Sequence, residues 1–102
     1  MGWPNENSGG GSAAITQQTK TQAQAESAVN WNDGATLIIS SVTSQCVIAV
    51  PTNHEAGRTY TIIAVQDATG YWDIEFNNVV YTGLAPNARQ KIQLYYDGVD
   101  YL

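Results

Sequence analysis

The sequence predicts an all-β protein: an antiparallel β-sandwich of jelly-roll type with about eight short strands, preceded by an extended N-terminal arm. Three observations carry that prediction. Short apolar runs rich in Val, Ile, Thr and Tyr recur at close spacing, turn-forming residues separate them, and no long stretch has the 3.6-residue periodicity of an amphipathic helix. The 102 residues allow one domain with one core. A single cysteine, Cys46, excludes an intrachain disulfide, so burial or association must hold the domain together.

Residues 1–12 contain Pro4, four glycines, two serines and two asparagines, too little apolar surface to offset their ordering entropy. Residues 13–26, AAITQQTKTQAQAE, hold good helix formers but only one large apolar side chain, Ile15. A helix there has no dry face to pack, so residues 1–26 are expected to be a flexible arm, extended or weakly helical in its second half. Its Gln and Thr content suits pairing with a neighbouring subunit's sheet. Trp3 beside Pro4 is an aromatic anchor in a polar arm, and Trp3, Pro4 and Ile15 are the candidate partner contacts.

The compact domain is expected over residues 27–102. Val29 and Trp31 alternate with asparagines up to Asp33-Gly34, a strong hairpin signal, and Ala35–Val42 returns as a strand. Gln45–Val50 follows, closed by Pro51, and residues 51–57 form a loop ended by Gly57. Tyr60–Val65 and Tyr71–Phe76 flank Gln66-Asp67-Ala68-Thr69-Gly70, which reads as the turn of a central β-hairpin. In its first arm the neighbouring Ile62 and Ile63 place apolar side chains on both faces, which suits a central, covered strand. Asn77-Asn78 turns into Val79–Tyr81, and Ala88–Tyr96 is a strand with Ile92, Leu94 and Tyr96 on one face. Asp97-Gly98 turns into a last strand, Val99–Leu102.

Composition narrows function. The net charge is −5, from four Lys and Arg against nine Asp and Glu, and no basic cluster exists, which argues against binding nucleic acid or an anionic membrane. No window approaches the roughly 20 apolar residues of a membrane span, and the first residues lack the basic and apolar regions of a secretory signal. His54 is the only histidine and lies in a polar loop with no nucleophile context, so no catalytic residues are expected. One His and one Cys cannot supply a zinc site, and Asp67 with Gly70 and Asp97 with Asp100 read as turns; no metal or cofactor is expected. Asp73 and Glu75 share the wetter face of one strand rather than form a catalytic pair. The tyrosines with Trp72 suit cross-strand packing or a subunit interface, and a sugar platform only if several share an exposed face.

The order Trp31, Gly57-Arg58-Thr59-Tyr60-Thr61-Ile62, Gln66-Asp67-Ala68-Thr69-Gly70 and Tyr95-Tyr96-Asp97-Gly98 with Tyr101 resembles a small β-sandwich module of tailed-phage virions. Such modules occur in capsid decoration (cement) proteins, head fibres and tail fibres, commonly as trimers. The resemblance spans about Val29 to Leu102 and departs from the module at Glu75-Phe76-Asn77-Asn78, where a Trp-Pro-like step is usual. It implies a non-enzymatic structural protein of the virion. One small domain behind an arm suits a homotrimeric decoration protein, binding the major capsid protein at the capsid surface after assembly in the host cytoplasm. The alternative is a fibre or receptor-binding module with a surface glycan as partner.

Overall fold

The computed structural model describes residues 16–102. Their fold is all-β with little helix, in two mixed sheets. The strands are β1 (Gln17–Lys20), β2 (Thr36–Val42), β3 (Cys46–Ile48), β4 (Arg58–Gln66), β5 (Ile74–Phe76), β6 (Val79–Tyr81) and β7 (Arg89–Tyr96). One sheet has the order β1-β2-β4-β7 and the other β3-β5-β6. Side chains from both sheets meet in one buried cluster, with Leu37, Ile39, Tyr60, Ile62, Ile92 and Leu94 facing Cys46, Ile48, Ile74 and Phe76. Strand alternation explains the division: in β4, Tyr60, Ile62, Ala64 and Gln66 are buried while Thr61, Ile63 and Val65 are half-buried.

Purely antiparallel pairing does not hold. β1–β2, β2–β4 and β3–β5 are parallel, and only β4–β7 and β5–β6 are antiparallel. The expected central hairpin is the largest correction, because β4 and β5 lie in different sheets. At the end of β4 the buried Gln66 turns its amide onto the backbone of Trp72, donating from Nε2 to the carbonyl at 2.8 Å and accepting the Trp72 N–H at 3.1 Å. Gly70 and Tyr71 then both take left-handed backbone angles, φ 72° and 65°, which swing the chain out of the first sheet. The slots beside β4 are filled instead by β2 and β7, so β4 is central, though its outer face is only half-buried.

The Asp33-Gly34 hairpin is also absent. Trp31–Asp33 is a 3-10 turn capped by the Asn30 side chain, and Val29–Asn32 contributes only an isolated bridge from Asn30 to Thr52. Gly34, at φ 150°, is needed for a different reason. A Cβ there would lie 2.6 Å from the Gln17 carbonyl carbon, so glycine lets β1 pass alongside.

The expected boundary at residue 26 falls inside α1 (Gln22–Ser27), and β1 with α1 is built into the domain. Thr21 and Gln24 form a reciprocal capping box. The dry face of α1 is Ala25, fully buried, and Gln22, whose amide donates to Ser44 Oγ and accepts the Thr43 N–H. A buried glutamine thus does the packing for which an apolar residue was sought. Asn77 and Asn78, at φ 50° and 66°, make the expected turn between β5 and β6. Val99–Leu102 folds back on Tyr95 through two backbone hydrogen bonds without becoming a full strand.

Candidate functional site

Three places in the described fold could engage another molecule: the outer face of the larger sheet, an aromatic cluster at the start of β4, and a cleft beside β1. Trp3, Pro4 and Ile15, the candidate partner contacts, lie outside the described residues.

The outer face follows from register. Thr19, Ile38, Ile63 and Lys91 form one row across all four strands, and Gln17, Thr36, Thr61 and Gln93 the row beside it. Ile38, Ile63 and Val65 are half-buried there, and Arg89, Lys91, Gln93 and Tyr95 project from β7. None of these four strands carries an acid, although the chain is acidic as a whole. A flat stripe of threonine and β-branched residues with two cations at its rim is well shaped to pack against another surface.

The aromatic cluster gathers residues far apart in sequence. Trp31 stacks on Tyr60 with ring centroids 4.3 Å apart, and its indole N–H donates to the Tyr101 hydroxyl at 3.0 Å. Tyr101 packs edge-on against Phe76 at 4.9 Å and lies 3.3 Å from His54 Nδ1. His54 also packs at a tilt against Tyr96, with centroids 4.2 Å apart and ring planes at 38°. Burial pushes the Tyr101 phenol above its ordinary value. His54 is therefore a packing partner of tyrosines. The expectation that the tyrosines serve cross-strand packing fits Tyr60, which is buried; Tyr71 and Tyr95 are exposed.

The acidic residues act as turn formers. Asp67 Oδ1 accepts the Thr69 and Gly70 N–H groups and the Trp72 indole N–H, and Asp97 Oδ1 accepts those of Val99 and Asp100. These bonds, led by Gly70 for Asp67 and Asp100 for Asp97, hold both carboxyls below their ordinary range. A carboxyl depressed in the folded state contributes stability above its unfolded pKa, near 3.8, and that contribution is lost as pH falls through the lower folded value. The melting temperature should therefore drop with acid below about pH 4, and Asp67→Asn should make the drop shallower in a thermal melt series. Asp73 Oδ1 accepts the Gly83 N–H, so Asp73 ties together two segments ten residues apart.

Cys46 is fully buried, and desolvation, with the Glu26 charge behind it, pushes its thiol up to about 12. A thiol this poor in thiolate is chemically silent. Native protein at neutral pH should leave a disulfide-exchange reagent unreacted, whereas protein unfolded in guanidinium should react with one thiol per chain.

The cleft, of about 460 Å³, opens between the end of β1, the end of α1, the Trp31–Asp33 turn and the segment after β3. Nothing in the sequence pattern pointed to it, because its walls come from four separate segments. Among the described residues no group of three His, Cys, Asp or Glu side chains could hold a metal ion, and no helix is long and apolar enough to cross a membrane.

No family model, curated protein or solved structure matches this chain.

Proposed function

We propose that the protein is a non-enzymatic structural component of a phage virion, a decoration protein that trimerises and binds the major capsid protein shell to stabilise the head. The observation that carries this reading is the outer face of the four-stranded sheet, which no other described element covers, with Ile38 and Ile63 side by side at its centre. Three such faces lining a threefold axis would bury the stripe and leave Arg89 and Lys91 near the rim. Among the described residues β1 is an edge strand paired with β2 alone, and an edge of this kind can take an added strand from a neighbouring subunit. In this reading Trp3, Pro4 and Ile15 make the contacts with the shell, and three copies of a weak contact give useful avidity. Further support is the likeness of the Trp31, Gly57–Ile62, Gln66–Gly70 and Tyr95–Gly98 segments to virion modules.

The test is co-sedimentation with shells lacking the protein. The full chain should pellet with them, and a chain beginning at Thr16 should stay in the supernatant while keeping its fold. Equal pelleting of both, or of neither, overturns the reading.

A further inference from the structure

We propose that the cleft beside β1 is a binding site for a sugar acid, a pyranose-sized polyol carrying one carboxylate. The proposal stands apart from shell binding and would survive its failure. The size is right, since about 460 Å³ lies within the usual range for small-ligand sites. The chemistry of the walls is divided in the way such a ligand requires. Lys20, Ser27, Asn30, Asp33 and Thr52 supply a cation, two hydroxyls, an amide and a carboxylate, and Val50 supplies an exposed apolar wall for a sugar's C–H face.

Lys20 is the anchor. It is the last residue of β1 and is half-buried, and among the described residues it forms no ion pair, the Arg58–Glu55 contact being the salt bridge present. A half-buried ammonium facing a cleft favours a carboxylate far more than a freely solvated one does. Asp33 can accept from ligand hydroxyls, and Ser27, the last residue of α1, borders the cleft beside it.

The walls are also held in place. Gln18, buried two residues before Lys20, donates from Nε2 to the Asn30 carbonyl at 2.8 Å and to the Gly34 carbonyl at 2.9 Å, tying β1 to the turn that carries Asn30 and Asp33. Thr52 N–H donates to the Val29 carbonyl, and Asn53 Nδ2 donates to Asn30 Oδ1, fixing the opposite wall. The site therefore needs little ordering when a ligand arrives, which favours affinity.

The test is a titration of the full-length protein with D-galacturonate, D-galactose and acetate, followed by two-dimensional amide NMR. Galacturonate should shift the amides of Lys20, Asn30, Asp33 and Thr52 and bind at least about tenfold more tightly than either comparison compound, the factor expected for one charge-assisted hydrogen bond. Lys20→Met should lower galacturonate affinity by about tenfold, and Arg58→Met, which removes the cation of the exposed pair with Glu55, should not change it. The spectrum without ligand verifies that each variant is folded. No shifts at the cleft, equal affinity for galactose or for acetate, or a Lys20→Met variant that binds as well as wild type would each overturn the proposal.

Discussion

Gln66→Leu should destabilise the domain by about 2–5 kcal/mol, although it places an apolar side chain of similar size at a position only 1% exposed. The reason is the hydrogen bonding of Trp72. Gln66 satisfies both the N–H and the carbonyl of that residue, and leucine would strand both at about 1–3 kcal/mol each. Gln90→Leu provides the contrast. Its Nε2 donates to the Thr82 carbonyl, but its Oε1 is buried without a partner, so leucine removes one bond and one orphaned oxygen together. The cost there should be about 1 kcal/mol. Chemical denaturation of the two variants measures both. Similar losses would mean that Gln66 does not hold the crossing between the sheets.

Gly83→Ala should cost about 3 kcal/mol or more, for a steric reason on the same crossing. A Cβ at Gly83 would sit 2.3 Å from the Trp72 carbonyl oxygen and 2.5 Å from its carbonyl carbon and nitrogen. These are backbone atoms already committed to Gln66, so they cannot move aside cheaply, and Gly83 is itself fixed by its N–H bond to Asp73. For a domain of this size the loss corresponds to a fall in melting temperature on the order of 10 °C or more. A melt within a degree or two of wild type would show that the Trp72 and Gly83 backbones are not in contact.

Both variants probe the place where sequence and structure part. Alternation of apolar residues made the strands legible: five of the observed strands fall within expected ones, β4 extends the expected Tyr60–Val65 at both ends, and the buried face of β4 follows from its alternation. Which strands pair was not legible. The segment from Gln66 to Gly70 has the composition of a hairpin turn, and only the Gln66 bonds to Trp72, with left-handed Tyr71, convert it into a crossing between sheets. Tyrosine carries no signal for a positive φ. The start of the domain was missed because its packing groups are polar: Gln18 and Gln22 are buried through hydrogen bonds to carbonyls, a hydroxyl and an N–H group rather than by hydrophobicity. One signal was present, the Thr21-x-x-Gln24 capping box, which marks a helix start irrespective of a dry face. At the level of sites, composition gave no sign of the cleft, whose walls meet only in the folded chain.

The outer sheet face ties this architecture to the proposed role. Ile63→Glu would place a carboxylate at the middle of the stripe, beside Ile38 and opposite Lys91, without touching the buried cluster. In a trimer built on this face, three such charges would be buried near one another, which is strongly unfavourable.

The most direct measurement is the molar mass of the purified protein in solution by light scattering, for wild type and for Ile63→Glu. The account predicts about three times the 11.0 kDa chain mass for wild type and a folded monomer for the variant. A wild-type monomer, or a trimer that Ile63→Glu leaves intact, would contradict assembly through the face of the four-stranded sheet.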